Sequence, residues 1–466
     1  MESLVTPSRP RVDIELTGQE SGFVPSYSTW DTIEGTATVA ADRDTSFDDI
    51  DITLEGTVKT SVERESMAGR ADVSHTLLKL RQTVDDAAYP TPRVLRSGHA
   101  YRFPFTFVVP DRLLPHVCKH AKGGAGVGRA HTLLPPSLGD PMVASNGRSL
   151  LDDMCSEMCR VGYQVRVCVS KRSPAQGKKG PKTLASVGKK VRVIPAVEEE
   201  PPLDVSDHRG MYWERKEKDV RRGLMRARFG RITAEASQPK PIQLIPPECQ
   251  PGESVSTVAT VHLRFDPVGD EEPPRLSTLS SKLRVSTFYT SQPMDGPPSQ
   301  GIRSGQLGRE VYVDTVPLSS RCVASASWTK HTAATRRRSI ESAASCQSSA
   351  SSSVGSGGIF YTSSIVVPVA LPRNKAFVPT FDSCLMSRFY ALDLGLSYRT
   401  PSTNIMNPSI SLRIPIQLTC RPKGGGGGAG PRLDDTKEEI DEIFSPRRVA
   451  PPSPEATGAD DDDSTR

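Results

Sequence analysis

The sequence has 466 residues, which at roughly 150 residues per domain predicts two or three folded units and excludes a single small domain. Hydrophobic residues make up 36% of it, and its 36 glycines bring the apolar share to about 44%, near that of globular proteins. Its 40 prolines exceed the usual share and indicate unfolded inserts. The net charge of +5 combines a basic body with an acidic tail, because residues 432–466 carry 5 basic and 11 acidic side chains.

The nine cysteines are scattered and do not form the dense framework of a secreted, disulfide-stabilised domain. The first residues lack the basic and apolar regions of a signal peptide, and no apolar run approaches the roughly 20 residues that span a bilayer. We therefore expect a reduced, cytoplasmic protein that contacts the plasma membrane or endosomes only peripherally.

Alternating apolar and polar residues predict strands with one buried face. In chain order, the apolar stripes lie within residues 12–16, 50–58, 101–109, 161–169, 261–265, 392–398 and 410–420. Gly56 stands in the apolar register and predicts a bulge or close packing, whereas Pro104 and Pro415 stand at outward positions and predict edge strands. Because one-sided strands need a second sheet to cover them, we predict an all-β fold of two tandem immunoglobulin-like β-sandwiches.

Domain boundaries follow from breaks in this alternation. Residues 199–210, rich in proline and acid, predict a linker between a first sandwich at 1–198 and a second at 211–423. Disordered inserts are predicted near 266–306, where 276–289 could still form a strand, and near 331–358, with a disordered acidic tail at 424–466. Helical candidates are few: only 149–160 and 211–228, neither with clear capping residues.

No catalytic motif is evident. The glycines at 123, 124, 126 and 128 resemble a phosphate loop, but Arg129 and His131 stand where the last glycine of that motif would fall. No Gly-Lys-Ser/Thr sequence follows, and there is no nucleophile elbow. We expect no catalytic residues and no enzymatic activity.

Several residues have the side-chain chemistry of metal ligands. Structural zinc sites use closely spaced cysteine pairs, and the spacing here departs from that pattern, so a turn with locally hydrogen-bonded side chains explains it equally well. We expect neither a metal nor another cofactor. The residues concerned are His116, Cys118, His120, His131, Cys155 and Cys159.

Basic residues are concentrated in residues 160–197, which hold ten Lys and Arg and no acid. Such a run is either a solvated hairpin tip or a surface for anionic groups such as lipid headgroups, phosphopeptides or nucleic acid. A second basic stretch, residues 336–338, precedes Ser339 and makes that serine a candidate for phosphorylation. The candidates for anionic contact are Lys178, Lys179, Lys182, Lys189 and Lys190.

Four segments in the first half carry a family resemblance. YRFPFTFVVPDRLLPHVCKH (101–120), HTLLPPSLGD (131–140) and GYQVRVCVS (162–170) resemble the N-terminal domain of fungal arrestin-like proteins, the α-arrestins. Upstream, STWDTIEGTATVA (28–40) is similar to that family's entry turn and second strand.

In the second half, FVPTFDSCLMSRFYALDLGLSY (377–398) and ISLRIPIQL (410–418) are similar to the last strands of an arrestin C-terminal domain. The resemblance implies the arrestin fold and a non-enzymatic adaptor. Such adaptors recognise plasma-membrane transporters or receptors and recruit HECT-type ubiquitin ligases, whose WW domains bind PPxY motifs. We expect no nucleic-acid partner.

The sequence departs from the family at the ligase motif, because none of its Pro-Pro pairs has a tyrosine two residues later. The nearest candidate is Pro25 with Tyr27, which is either an effector-docking motif or an ordinary loop before a strand. Two functions therefore stay open. One is an adaptor for ubiquitin-dependent endocytosis, and the other is a ligase-independent signalling or sorting scaffold that binds membrane-protein tails.

Overall fold

The computed structural model describes twelve segments of the chain. The linker expected at 199–210, the insert expected at 331–358 and the acidic tail fall largely or wholly outside them. The described residues are 9–19, 24–63, 69–120, 125–144, 150–172, 181–199, 213–221, 228–244, 256–295, 308–332, 359–400 and 407–421.

The described residues of the first half form ten strands and two short α-helices. Each apolar stripe predicted from the alternation lies almost entirely in one or two of the strands. The strands are β1 Arg11–Leu16, β2 Ser26–Tyr27, β3 Thr32–Ala40, β4 Thr45–Ser46, β5 Asp49–Glu63, β6 Arg70–Gln82, β7 Val94–Leu95, β8 Ala100–Val108, β9 Cys159–Lys171 and β10 Lys182–Val193. The helices are α1 Ala125–Ala130 and α2 Pro141–Ala144.

Two sheets enclose the first core. One has the order β1-β3-β8 and the other the order β2-β10-β9-β5-β6, while β4 and β7 form a small ladder. The apolar stripe of β9, from Val161 to Val169, is at most 2% exposed, and it meets Phe103, Phe105 and Phe107 of β8 within the same core. The first stripes of the sequence thus face each other across a β-sandwich.

In the second half, the part of the chain that the structure describes forms twelve strands. They are β11 Trp213–Arg221, β12 Arg228–Ser237, β13 Ile242–Leu244, β14 Ser256–Pro267, β15 Arg275–Thr290, β16 Arg309–Cys322, β17 Thr329–His331, β18 Phe360–Ala370, β19 Phe381–Asp382, β20 Met386–Arg399, β21 Ser409–Ile416 and β22 Leu418–Cys420.

These strands make a second sandwich with its own core. One sheet runs β11-β12-β14-β18-β17, and the other runs β16-β15-β20-β19 with β21 also paired to β20. The stripes of β14, β20 and β21 meet in the core between them. The described residues are therefore predominantly β-strand and form two β-sandwich cores, in keeping with the alternation.

Local details of the prediction are also confirmed. Pro104 lies in β8, at the edge of its sheet, and Pro415 lies in β21, which pairs only with β20 in its sheet. The register of β5 shifts after Gly56, where a Cβ atom would lie 2.6 Å from Cε1 of Tyr163. A side chain at this position would clash with the ring of Tyr163, so the close aromatic contact requires glycine there.

Two expectations were wrong. Residues 211–228 are not a helix, because 213–221 form β11 and Arg228 begins β12. β11 lies at the edge of its sheet and is exposed along most of its length, so its charged side chains are solvated. Backbone pairing with β12, rather than an apolar pattern, makes this segment a strand. The described residues 150–158 contain no helix either, and the chain runs through a loop into β9.

A smaller part of residues 266–306 lacks regular structure than the sequence predicted. Residues 275–290 form β15, which pairs with β16 on one side and β20 on the other. Buried positions alternate along it and include Leu279, Leu283 and Val285.

The described residues contain no helix with the length and hydrophobicity that a bilayer-spanning segment needs.

Phe265→Ala tests the second core. Phe265 is fully buried, and its ring centroid lies 5.8 Å from that of Phe229 and 6.4 Å from that of Trp328. We expect urea denaturation to show a loss of about 3–5 kcal/mol in the free energy of unfolding, because the substitution leaves a cavity. Val268→Ala, at a side chain 52% exposed, is the control and should change it by less than about 0.5 kcal/mol. Equal effects would contradict the packing described.

Candidate functional site at the junction of the two sandwiches

The predicted effector-docking residues lie at an edge of the first sandwich. Tyr27 ends β2, which pairs in parallel with β10 and packs partly against the first core. The N–H of Arg192 donates to the carbonyl of Pro25, and that of Ile194 donates to the carbonyl of Tyr27, both at 2.9 Å. A partner that bound this segment through its backbone would therefore compete with β10.

The predicted anionic-contact lysines have different surroundings. Lys182 is exposed at the start of β10. Lys189 Nζ donates to the carbonyl of Ile14 at 3.0 Å, and the Lys190 ammonium forms an ion pair with the nearly buried carboxylate of Asp140. Lys189 and Lys190 thus make contacts within the first sandwich. Three other predicted residues lie outside the described residues: Lys178, Lys179 and Ser339.

Backbone hydrogen bonds join the two sandwiches at more than one place. Val197, after β10, and Cys420, at the end of β22, exchange N–H to carbonyl bonds of 2.8 and 3.0 Å. The N–H of Ala376 donates to the carbonyl of Asp152 at 2.9 Å, next to an ion pair between Lys375 and the Asp152 carboxylate at 2.6 Å. The halves are therefore fixed to each other through main-chain atoms.

Each core also receives side chains from the other half of the chain. Met154, in the loop before β9, is 1% exposed and belongs to the second core. Its φ of 55° is unusual for a residue other than glycine. The second half contributes the following residues to the first core: Tyr289, Val378, Phe381, Leu385, Met386 and Cys420.

Arg388 of β20 lies at this junction and is completely buried. Its Nη1 donates to the carbonyl of Asp153 at 2.7 Å, and its Nη2 donates to that of Met154 at 2.9 Å. Its Nε and Nη2 also donate to Thr287 Oγ1, at 3.0 and 2.7 Å. A buried charge is tolerated only when it is well hydrogen-bonded. The guanidinium therefore holds the loop that contains Asp153 and Met154 in place, because movement of that loop would leave the charge without these hydrogen bonds.

Two further buried ionisable side chains, Asp153 and Arg192, belong to the same region: Asp153 interacts with Arg388, and Arg192 interacts with Asp153. Burial raises the pKa of the Asp153 carboxyl, against the opposing effects of the Gly139 N–H, which donates to it at 2.6 Å, and of the Arg388 charge. Burial likewise lowers the pKa of Arg192, and the nearby Asp153 opposes that shift. The junction is a polar interior region between two apolar cores.

A cysteine and histidine cluster lies at the edge of the junction. Cys118 and His120 follow β8, His131 follows α1, and Cys384 lies between β19 and β20. One ligand atom from each of the four side chains lies within 4.8 Å of the others. Three of these residues belong to the first half of the chain and the fourth to the second.

The atoms face one another at short range. Cys118 Sγ lies 3.0 Å from His120 Nε2 and 3.7 Å from His131 Nδ1, and His120 Nε2 lies 3.3 Å from Cys384 Sγ. Cys118 and His131 are buried, whereas His120 and Cys384 are partly buried. Burial, followed by the interaction with the Cys118 thiol, raises the pKa of Cys384 to about 12.

A buried carboxylate backs the cluster. Asp382 Oδ2 lies 3.7 Å from His131 Nε2, and these two buried atoms have no hydrogen-bond partner among the described residues. The other carboxylate oxygen, Oδ1, accepts a hydrogen bond from Ser387 Oγ. His131 therefore turns one ring nitrogen toward the two thiols and the other toward a carboxylate.

The sequence had indicated part of this cluster. Cys118, His120 and His131 are brought together, but His116 is exposed, and Cys155 lies 3.6 Å from Cys159 as a separate thiol pair. Cys384 was missed because it is 264 residues from His120, and no short spacing motif connects them. Two thiols and two imidazoles have the chemistry to bind a soft or borderline transition metal ion.

Comparison with known proteins adds no assignment. No protein-family model matches the chain, and no curated protein matches it.

Arg388→Ala tests the junction. The substitution removes the donors to the carbonyls of Asp153 and Met154 and leaves both buried, so we expect a loss of about 3–5 kcal/mol in the free energy of unfolding. Arg388→Lys, which keeps the charge but not the planar donors, should recover only part of it. Arg399→Ala, at the exposed end of the same strand, is the matched control and should change it by less than about 0.5 kcal/mol. No loss in Arg388→Ala in urea denaturation would contradict this assignment.

The pH dependence of stability tests the Lys190 contact. Burial opposes ionisation of Asp140, but the hydrogen bond and charge of Lys190, with that of Arg160, hold its pKa below the usual value. A carboxyl group whose pKa is lower in the folded than in the unfolded protein stabilises the fold at pH values above its unfolded-state pKa. This stabilisation is lost as the pH falls through the folded-state pKa. Lys190→Met should therefore cost about 1–2 kcal/mol at pH 7, and the difference from the wild type should shrink below about pH 4.

The control for this measurement is Lys182→Met, at an exposed position of the same strand. It should not alter the unfolding free energy at either pH. A cost for Lys190→Met that stayed constant down to pH 3 would show that lost packing, rather than the ion pair, carries the effect.

Proposed function

We propose that the protein is a non-enzymatic, arrestin-like adaptor. It would bind cytoplasmic tails of plasma-membrane transporters or receptors and link them to ubiquitin-dependent endocytosis and trafficking. The segments that resemble α-arrestins support this proposal, and they fall in both halves of the chain. The architecture of two β-sandwiches in tandem is consistent with it.

The main observation behind the proposal is that the two sandwiches are held together by direct contacts. Arg388 and the Val197 to Cys420 backbone pair hold the two halves together through buried or backbone contacts. In an adaptor, a junction of this kind would keep a cargo-binding surface on one sandwich at a fixed position relative to an effector-binding surface on the other. The outer faces and edges of the sheets then remain available for cargo and effector.

The basic segment at 160–197 is the proposed membrane-facing surface. Exposed cations near an anionic bilayer contribute about 1 kcal/mol each, so a few lysines would localise the protein peripherally. Lys182 is exposed and suits this role, with Lys178 and Lys179 in the sequence before it. Lys189 and Lys190 contribute charge while also binding other groups of the first sandwich. Ser339 is the proposed site at which phosphorylation would alter this electrostatic balance.

The second function, a ligase-independent signalling or sorting scaffold, is favoured by one observation. The Pro25 to Tyr27 segment, the nearest candidate for a ligase-binding motif, is paired with β10 through its backbone. A scaffold would bind membrane-protein tails without releasing this segment. The two functions differ in whether a HECT-type ligase accompanies the cargo.

Proximity labelling by the full chain in its own cells tests these functions. We expect the wild-type protein to label transporter or receptor tails together with a HECT-type ligase. A variant with Lys178→Gln, Lys179→Gln and Lys182→Gln loses three cations, which should weaken binding to anionic membrane about 100-fold and reduce this labelling to background. The matched control neutralises the exposed lysines Lys79, Lys282 and Lys330, on other strands, and should label like the wild type.

Substitutions of Tyr27 separate the two functions. Tyr27→Phe keeps the ring that packs on the first core, so it controls for stability, whereas Tyr27→Ala removes the ring. Loss of ligase labelling with Tyr27→Ala, in a protein that stays folded, would support ligase docking. Labelling of membrane-protein tails without any ligase would support the scaffold. Labelling of neither class would contradict both functions.

A further inference from the structure

We propose that Cys118, His120, His131 and Cys384 bind one Zn²⁺ ion that ties the second sandwich to the first. The two thiolates and two imidazoles complete a tetrahedral coordination shell. This proposal goes beyond the adaptor function and does not depend on it. The chemistry of the ligand atoms, their mutual distances and the buried carboxylate behind His131 support it.

The distances agree with the size of a zinc site. Zn–S bonds of about 2.3 Å and Zn–N bonds of about 2.0–2.1 Å, arranged tetrahedrally, place neighbouring ligand atoms roughly 3.3–3.8 Å apart. The distances between the thiol sulfurs and ring nitrogens here are 3.0, 3.3 and 3.7 Å. All four ligand atoms lie within 4.8 Å of one another, so small side-chain adjustments complete the shell.

The choice of metal follows from the ligand set. Tetrahedral sites with two sulfur and two nitrogen ligands are typical of zinc. Two thiolates also neutralise the charge of the dication, which lowers the cost of placing it in a partly buried site. Four protein ligands leave no position for water or substrate, so the site is structural rather than catalytic.

The position of Asp382 supports a metal ion at this site independently of the distances between the ligand atoms. Its side chain and that of His131 are both buried, and the facing atoms Oδ2 and Nε2 have no hydrogen-bond partner among the described residues. When His131 Nδ1 binds a metal, Nε2 carries the proton and points at a carboxylate, as in carboxylate–histidine–zinc sites. The zinc ion therefore explains why this buried pair faces each other.

The position of the site gives it a role at the junction. Cys384 lies in the loop whose neighbours Leu385 and Met386 pack into the first core. A metal bond to its sulfur would hold that loop against the segment that follows β8. The zinc would thus stabilise the same arrangement that Arg388 stabilises by hydrogen bonds.

The first test measures metal content. The full chain, purified under reducing conditions, should contain one zinc per chain by elemental mass spectrometry. Cys118→Ser and Cys384→Ser should each lose it. The matched controls are His116→Gln, an exposed histidine two residues from Cys118, and Cys322→Ser, an exposed cysteine. Both controls should keep the zinc. A wild type without zinc, or unchanged content in Cys384→Ser, would overturn the proposal.

The second test needs no variant, so it remains valid if the substituted proteins do not fold. The wild-type chain is stripped with a chelator under reducing conditions and titrated with Co²⁺, and separately with Zn²⁺. Tetrahedral cobalt absorption with thiolate charge-transfer bands supports the site, whereas an octahedral spectrum overturns it. Zn²⁺ at a hundredfold excess over Kd should raise Tm by about 5 °C or more. A Cys118 to Cys384 disulfide in place of bound metal would also overturn the proposal.

The third test addresses the carboxylate and the junction. Asp382→Asn should weaken zinc affinity about 10–100-fold. Removing zinc from the wild type should speed amide hydrogen exchange at residues 118–120 and 383–386, while exchange in the centre of β9 stays unchanged. Unchanged exchange at 383–386 would contradict the role at the junction.

Discussion

The structure depends on one buried guanidinium. Arg388 has no access to solvent, and its donors are satisfied by the backbone carbonyls of Asp153 and Met154 and by the hydroxyl of Thr287. A cation in such surroundings tolerates little displacement, since each lost hydrogen bond leaves a charged group or a carbonyl unsatisfied. The loop before β9, which belongs to the first sandwich, is therefore positioned by a residue of the second.

The apolar contacts follow from that constraint. Met154, held by its carbonyl, places its side chain in the second core, while Phe381, Leu385 and Met386 enter the first. The exchange means that neither core is composed solely of its own half of the chain. The proposed zinc site lies beside this exchange and would fix the loop that carries Cys384. The hydrogen-bonded cation and the metal thus act on the same segment through different chemistry.

Local sequence patterns identified several of the strands, but they did not reveal β6, β12, β16 or β18, nor the junction between the sandwiches. Alternation identified β8, β9, β20 and β21, because a strand buries every second residue regardless of its partner. It missed β11, whose exposed, charged residues leave no apolar stripe. Arg388 interrupts the pattern of β20 without showing what it binds. Cys384 and Asp382 were missed because their partners lie far away in the chain, where no periodicity reaches.

The exchange of core residues also has a consequence for biosynthesis. A ribosome releases every strand of the first sandwich well before it adds Phe381, Leu385 and Met386. Until those residues emerge, the nascent first sandwich exposes the apolar surface that they later cover, and this surface is the kind that chaperones bind. Maturation of the first sandwich therefore has to wait for translation of the second, and the two halves mature together.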